Sequence, residues 1–315
     1  MSKYYVGIDT SAYTTSLAVI NEKDVAVLDL RRVLKVKKGE IGLRQQDAVF
    51  QHVNNLPILI AKMAEEIDVS KIEVVSCSSK PRKIEGSYMP VFAVGKGQAF
   101  ALAKVFNCKY KEFSHQEGHI GAGMLNSGLK DKDSFISLHI SGGTTELLIV
   151  KNEDKNLRVD VIGGTLDLNF GQLIDRIGVE TKLPFPCGIE MDKMAECGNI
   201  LNINIPMSIK KDTWFNISGL ENYFKNLIKS KNYKIKDIFA TLFYTIACYI
   251  YIITVNACIQ YKINNVLITG GVSANKIIRQ HLISKLSQEG ITTSFPKVDL
   301  CTDNGVGIAY MGKLN

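Results

Sequence analysis

The pattern of apolar and polar residues predicts short strands at two corresponding places in the chain. Residues 4–20, YYVGIDTSAYTTSLAVI, have the pattern of a β-branched strand, a small polar turn and a second strand. Residues 136–150, ISLHISGGTTELLIV, repeat that pattern about 130 residues later. The repeated hairpin predicts two lobes of one design.

Helical periodicity occupies much of the remaining sequence. The apolar spacing predicts helices over roughly 44–66, 91–106, 115–125, 166–181, 238–261 and 274–288. A last helix, from Asp303 to Gly312, is expected to pack back on the first lobe. Strands that alternate with helices are typical of an α/β fold rather than a sandwich or a bundle. We expect an N-terminal lobe of residues 1–132, completed by 303–315, and a C-terminal lobe of residues 133–302.

The segment from Ile238 to Tyr261 carries no charged residue and is long enough to span a bilayer. A strand-like VLIT sequence follows it closely, and polar side chains interrupt it at Thr241, Thr245, Tyr249, Thr254, Asn256 and Gln260. We therefore interpret it as a buried core helix and expect no membrane association.

The composition is that of a globular protein, because 46% of the residues are hydrophobic and 22% are charged. The seven cysteines are an odd number and include no C-x-x-C pair, as expected for reduced thiols. The N-terminal sequence MSKYYVGIDT lacks a signal-peptide pattern, so we expect a cytoplasmic location. The net charge of +7, with lysines crowded in 31–38 and 210–236, permits a phosphate-rich partner, although such runs are often solvated faces.

Three turns of small residues are candidate anion-binding sites. Two of them are the hairpin turns, of which the second contains Ser141, Gly142 and Gly143 and leaves backbone N–H groups free to face an anion. The third contains Gly270 and Gly271, which end a buried strand ahead of a helix N-terminus. Each turn alone could be an ordinary loop. Three turns in this order favour a phosphate-bearing ligand.

The segment FSHQEGHIGAGM predicts a helix with two histidines on one face. Ser114 and Glu117 have the spacing of a capping box, so the helix should begin at His115. His115 and His119 are then one turn apart, as two imidazoles that share a metal must be. Glu117 points about 200° away from His115, which is the wrong register for a H-E-x-x-H protease. We expect a third ligand from Asp303, at a strand-to-helix turn; the alternative is a pair of helix-surface histidines.

These motifs together resemble the tRNA N6-threonylcarbamoyladenosine transferase family, formerly called the glycoprotease family. The resemblance covers nearly the whole chain, in the family's order, through GIDTS, HQEGH, ISGGTTEL, a TLD segment ending at Asp175, PFPCG, NISGL, TGGVSAN and CTDN. Members have a two-lobed actin-like ATPase fold with duplicated domains, shared with sugar kinases and heat-shock chaperones. The repeated hairpin agrees with that fold.

The resemblance also implies ligands and partners. It implies one divalent metal ion, iron or zinc, on His115, His119 and Asp303. It implies an adenine nucleotide, which is threonylcarbamoyl-AMP, ATP or AMP. The nucleotide contacts that it implies are Ile140, Ser141, Gly142, Gly143, Thr144, Asp175, Gly188, Asp192 and Asn275, and the third small-residue turn adds Gly270 and Gly271. The family reaction transfers a threonylcarbamoyl group from threonylcarbamoyl-adenylate to an adenosine amine in tRNA. The expected partners are therefore tRNA, accessory proteins of that pathway, and a second copy or a paralog in a dimer.

Several loop residues depart from the family pattern and predict a divergent paralog. Thr144 stands in place of a histidine, and Gly164 in place of a glutamate. Leu168 and Gln172 each replace an acid, residues 12–14 replace a Cys-Asp-Glu run, and residues 80–82 replace a Gly-Pro-Gly-like loop. The predicted metal ligands survive these changes.

Two alternatives to the family reaction stay open at this point. One is a non-catalytic nucleotide-binding partner of the genuine transferase. The other is an enzyme of the same fold that acts on a different acceptor, either a carbamoyl transferase or a small-molecule kinase. A kinase would need a base near the transferred phosphate, and Asp9 could serve only if it faced the ligand.

Overall fold

The computed structural model describes residues 3–36, 43–125, 127–153, 156–211 and 213–315. These residues form two compact units, which are described separately. The first unit runs from the N-terminus to Lys130 and includes Glu153–Leu157 and Thr302–Asn315. The second comprises Asp131–Asn152 and Arg158–Cys301. The domain limits at 132/133 and 302/303 stay predictions of the sequence.

The helices and strands alternate along the chain, as expected for an α/β protein. In chain order they are β1 (Tyr4–Thr10), β2 (Thr14–Asn21), β3 (Ala26–Val33), α1 (Gln45–Glu66), β4 (Ile72–Lys80), α2 (Val91–Val105), β5 (Lys109–Ser114), α3 (His115–Met124), β6 (Ser134–Ile140), β7 (Thr145–Glu153), β8 (Asn156–Thr165), α4 (Phe170–Glu180), α5 (Gly188–Ala195), β9 (Ser208–Lys211), β10 (Trp214–Asn216), α6 (Ser218–Ser230), α7 (Ile235–Tyr261), β11 (Asn265–Thr269), α8 (Lys276–Gln288), β12 (Thr292–Ser294) and α9 (Val306–Leu314).

The two sheets share one strand order. In the first unit the order is β3-β2-β1-β4-β5, with β1 antiparallel to β2 and parallel to β4. In the second sheet the run β8-β7-β6-β11-β12 has the same order, and β6 is antiparallel to β7 and parallel to β11. The second sheet adds β10 and β9 beyond β8. The hairpins predicted from the repeat are thus β1–β2 and β6–β7, and the duplicated α/β design is confirmed.

Helix α7 is the main core helix of the second unit. Among the described residues it is the one helix long and apolar enough to cross a membrane, but 72% of its most apolar window is buried inside the protein. Two of the polar side chains that interrupt it are hydrogen-bonded within the unit: Thr241 Oγ1 donates to Asp237 O at 2.6 Å, and Tyr249 Oη accepts from Ser208 N at 2.7 Å. The interpretation as a buried core helix therefore agrees with the structure.

Several helix limits differ from the sequence prediction for a local reason. The helix expected from 166 begins at Phe170, because Asn169 and Gln172 form a capping box there. The helix expected from 274 begins at Lys276, because Asn275 accepts a hydrogen bond from Ile278 N at 2.9 Å and caps it. The helix expected from Asp303 begins at Val306. The sequence analysis did not predict α5 and α6, which are short or mostly polar.

Candidate metal centre and nucleotide-contact residues

A capping box positions the two histidines of α3. Ser114 Oγ accepts from Glu117 N at 3.1 Å, and Glu117 Oε2 accepts from Ser114 N at 2.8 Å. The predicted capping box and the helix start at His115 are both confirmed. Lys83 Nζ lies 3.1 Å from Glu117 Oε1 and compensates this nearly buried carboxylate. These contacts fix the first turn of α3 without a metal ion.

Ser114→Ala should destabilise the first unit modestly. The substitution removes the acceptor for Glu117 N and the hydroxyl that donates to Glu117 Oε2 at 2.9 Å. Loss of such a cap costs about 1–2 kcal/mol of unfolding free energy, which denaturant titration can measure. The exposed serine Ser284 in the middle of α8 is a control, since Ser284→Ala should change stability by less than about 0.5 kcal/mol. Equal stability of the two variants would show that the box does not hold α3.

Glycine contacts bring the first turn of α9 against α3. A Cβ on Gly307 would lie 1.8 Å from Gly118 O and 2.7 Å from Ala122 N. The backbones of α9 and α3 thus meet where neither helix has a side chain, which lets them approach closely. Asn304 Oδ1 accepts from Gly307 N at 2.9 Å and joins the residue after Asp303 to the first turn of α9. This contact places Asp303 beside the histidines of α3.

The three predicted metal ligands lie together in the first unit. His119 Nε2 is 3.1 Å from His115 Nε2, and Asp303 Oδ1 is 3.5 Å from His115 Nε2 and 3.7 Å from His119 Nε2. Two nitrogens that each lie about 2.1 Å from one metal ion are roughly 3.0–3.4 Å apart, so the imidazoles have the right separation. Two imidazoles and one carboxylate suit iron or zinc and leave further coordination positions for a ligand. The donor set fits the implied ion.

Mutual electrostatics reinforce this cluster. Burial lowers the pKa of His115, but the carboxylates of Asp9 and Asp303 outweigh burial and raise that pKa well above its ordinary value. Burial and the neighbouring His115 lower the pKa of His119. Burial raises the pKa of Asp303, but the two neighbouring imidazoles dominate and hold that pKa well below the usual range. The cluster therefore concentrates negative charge beside imidazoles, which favours a cation.

Asp9 contacts the candidate centre directly, a role that the sequence analysis missed. Its carboxylate lies 3.1 Å from His115 Nδ1, and its side chain is fully buried. Both of its oxygens are engaged, one by Ser11 Oγ at 2.9 Å and the other by Ser78 Oγ and His115. A carboxylate held in this way is not presented to a ligand as a base, which disfavours the kinase alternative.

The β6–β7 turn of the second unit carries five of the predicted nucleotide contacts, Ile140, Ser141, Gly142, Gly143 and Thr144. Ser141 N donates to Thr144 O at 2.7 Å and closes the turn. A Cβ on Gly142 or Gly143 would meet nothing within 4 Å, so the backbone is open on that side. The turn can therefore admit a ligand close to its main chain.

The other predicted nucleotide contacts fall into small groups of the second unit. Asp175 Oδ1 accepts from Cys187 N at 2.8 Å, next to Gly188, which has open space where a Cβ would lie. Asn275 Nδ2 donates to Asp192 Oδ1 at 2.7 Å. Burial raises the pKa of both Asp175 and Asp192. Poorly solvated carboxyls of this kind are suited to accept ribose hydroxyls.

Packing within the second unit requires a glycine at position 270, which the sequence did not reveal. Its φ is 91°, and a Cβ there would lie 2.2 Å from Ile140 O. The glycine therefore allows the end of β11 to pack on the end of β6, whether or not a ligand is bound. Gly271 opens the short 3-10 turn Gly271–Ala274 that precedes α8.

Some departures from the family pattern are built into the fold. Gly164, in place of a glutamate, has a φ of 142°, and a Cβ there would lie 2.4 Å from Thr145 O. A side chain does not fit that backbone without a shift. Leu168 is buried in the core of the second unit, and Gln172 belongs to the capping box of α4. These residues have local structural roles in place of the acids.

Solved structures share the fold of this chain. T. kodakarensis HypF superposes with a TM-score of 0.61 at 14% identity, over 99% of this chain and 48% of that longer one. A ROK family glucokinase from Streptomyces griseus, in complex with glucose and AMPPNP, has a TM-score of 0.53 at 9% identity, over 99% and 98% of the two chains. The chain has the two-lobed actin-like ATPase fold with duplicated domains.

Sequence relatives are similar over almost their full length. A tRNA N6-adenosine threonylcarbamoyltransferase of Thermosipho melanesiensis is 31% identical, over 98% of this chain and 93% of the relative. The enzyme of that name from Bacillus subtilis is 29% identical, over 99% and 90%. The family model TsaD, described as tRNA N6-adenosine threonylcarbamoyltransferase, matches residues 34–310. The chain belongs to this family of transferases.

Proposed function

We propose that this chain transfers a threonylcarbamoyl group from threonylcarbamoyl-adenylate to the exocyclic amine of an adenosine in tRNA. The observation that carries the proposal is the match to the family model over residues 34–310. In this reaction the amine nitrogen bonds to the carbamoyl carbon, the bond from that carbon to the phosphate oxygen breaks, AMP leaves and the amine releases a proton. No protein nucleophile is required, so binding and orientation are the main tasks of the chain.

His115, His119 and Asp303 would hold the divalent ion, iron or zinc. When bound, such an ion polarises substrate oxygens as a Lewis acid and fixes their position. The donor set supports this role, because its three ligand atoms lie within 4.8 Å of one another. The proposed metal dependence of the reaction rests on these residues.

The open turn at Gly142 and Gly143 would receive the adenylate phosphate, and Asp175 and Asp192 would accept its ribose hydroxyls. The support for these contacts is local: both glycines have open space on the Cβ side, and both carboxyls are partly buried. An unpaired adenosine suits such a site, since RNA readers act chiefly on unstacked bases. Parts of the two lysine-rich segments, whose charge permits a phosphate-rich partner, lie outside the described residues.

We propose that the chain acts in the cytoplasm on tRNA, together with accessory proteins that supply the activated intermediate and with a second copy or a paralog. A strain that lacks this gene and any close paralog should lose the modified nucleoside, and a plasmid copy of this chain should restore it. Mass spectrometry of nucleosides from bulk tRNA measures both results.

The departures from the family pattern at Thr144 and Gly164 are the reason to test the alternative of a non-catalytic scaffold, which binds nucleotide and assists the genuine transferase. Absence of rescue, together with nucleotide binding by the purified protein, would favour a non-catalytic partner or another acceptor. Rescue by this chain with no paralog present would exclude the scaffold, because no other transferase would remain. Calorimetry with AMP and ATP supplies the binding measurement.

A further inference from the structure

A buried carboxylate supports the histidine that begins α3. Asp9, near the end of β1, is 0% exposed, and its Oδ1 lies 3.1 Å from His115 Nδ1. Ser11 Oγ donates to its Oδ2 at 2.9 Å, and Ser78 Oγ donates to its Oδ1. A buried carboxylate is tolerated only when its oxygens are hydrogen-bonded, and these three donors supply that compensation.

The contact fixes which ring nitrogen of His115 faces the candidate centre. A carboxylate only accepts hydrogen bonds, so Nδ1 of His115 must carry the proton in this pair. When the imidazole is neutral, its lone pair is then on Nε2, the atom that lies 3.1 Å from His119 Nε2 and 3.5 Å from Asp303 Oδ1. Asp9 thus aims the only available lone pair at the other two ligands.

A second set of contacts holds Asp9 itself in place. Ser11, which donates to Asp9, has its carbonyl oxygen 2.8 Å from His52 Nε2 on α1. His52 Nδ1 lies 2.8 Å from Thr15 Oγ, so the histidine bridges the two sides of the β1–β2 turn. His52 is fully buried, and a side chain fixed at both ring nitrogens is well ordered. The support for His115 is therefore preorganised rather than mobile.

We propose that Asp9 is a positioning residue for the metal site: it fixes the ring orientation and tautomer of His115 and increases the basicity of its Nε2. This proposal rests on the metal site in the proposed function. Carboxylates that accept from the second nitrogen of a ligating histidine have this effect in metalloproteins generally, and their loss costs about 10–100-fold in metal affinity.

The test is the affinity of the purified full chain for Zn2+, measured by competition with a chromophoric chelator. Asp9→Asn keeps the size of the side chain but loses its charge, and we expect it to weaken Zn2+ binding about 10–100-fold. Ser78→Ala removes one donor to Asp9 and should weaken binding less. In the Co2+-loaded protein, the visible absorption bands of Asp9→Asn should shift, because the ligand orientation changes.

Thr10→Val is the matched control for damage to the fold. Thr10 is buried next to Asp9, and its hydroxyl donates to Val91 O at 2.9 Å and accepts from Gly95 N at 3.1 Å. The valine variant should lose stability but keep Zn2+ affinity within about twofold, since Thr10 does not contact His115. Asp9→Asn with wild-type Zn2+ affinity and Co2+ bands would overturn the positioning role alone. Absence of Zn2+ and Co2+ binding by the wild type would overturn both this inference and the metal site of the proposed function.

Discussion

His115→Ala should leave the purified protein without a bound metal ion and should abolish rescue of the tRNA modification. The substitution removes one of three protein ligands and leaves only His119 and Asp303, which are 3.7 Å apart. A structural zinc site supplies about 10–16 kcal/mol, so loss of one ligand from a zinc site should cost on the order of 3 kcal/mol or more. That is more than a hundredfold in affinity.

Metal content by plasma mass spectrometry, taken with the rescue assay, measures both effects. Asp303→Ala should behave like His115→Ala, because it removes the carboxylate of the same donor set. His281→Ala is the matched control: His281 lies in the second unit and packs edge-on against Tyr244, with ring centroids 5.0 Å apart. Equal metal content in the wild type and all three variants would refute the site. Loss of metal from a variant that still restores the tRNA modification would show that the reaction does not require the metal.

The local part of the candidate centre could be predicted from sequence because its determinants are adjacent in the chain. The S-x-x-E spacing of Ser114 and Glu117 sets the start of α3, and helical geometry then places His115 and His119 on one face. The sequence indicates Asp303 as the third ligand through its place at a predicted strand-to-helix turn and through the family resemblance, and not through any spacing to the histidines. Its position depends on the contact of Gly307 with Gly118, which no local pattern encodes.

The support provided by Asp9 could not be predicted, because it depends on pairing between distant segments. Asp9 and Ser78 meet because β1 and β4 are parallel neighbours, and the order of those strands is a property of the whole sheet. The GIDTS motif marked this segment as part of a hairpin, but not which way the carboxylate points. The sequence signal available was an acid at the end of a buried strand, which is compatible with several roles.

The fold class was predictable for a different reason. Two hairpins with the same pattern, at 4–20 and 136–150, indicated duplication, and each hairpin supplies the central strands of its sheet. Strands β9 and β10, which extend the second sheet, have four and three residues and give too short a pattern to detect. The conformation of Gly164 could not be predicted either, because its φ of 142° depends on packing against Thr145, which is distant in the sequence.

Gly307→Ala should destabilise the first unit more than Ser114→Ala does. The new Cβ would lie 1.8 Å from Gly118 O and 2.7 Å from Ala122 N, both of which are backbone atoms that cannot rotate away. The helices α9 and α3 would have to move apart, and overpacking of this kind costs about 3 kcal/mol or more of unfolding free energy. Because Asp303 precedes α9 and the histidines lie on α3, Zn2+ affinity should fall as well.

Alanine substitutions at two other glycines, Gly118 and Gly97, provide a comparison for Gly307→Ala. A Cβ on Gly118 would meet only the Ile308 side chain, at 2.7 Å from Cδ1, so Gly118→Ala should cost less than Gly307→Ala. Gly97 is exposed in α2 with nothing within 4 Å, so Gly97→Ala should stabilise the protein by about 0.5–1 kcal/mol through helix propensity. Denaturant titration and Zn2+ competition measure the series. Gly307→Ala could instead match Gly97→Ala in both unfolding free energy and Zn2+ affinity. The protein would then accommodate the new Cβ without cost, and the close contact of α9 with α3 would not be what holds Asp303 beside His115 and His119.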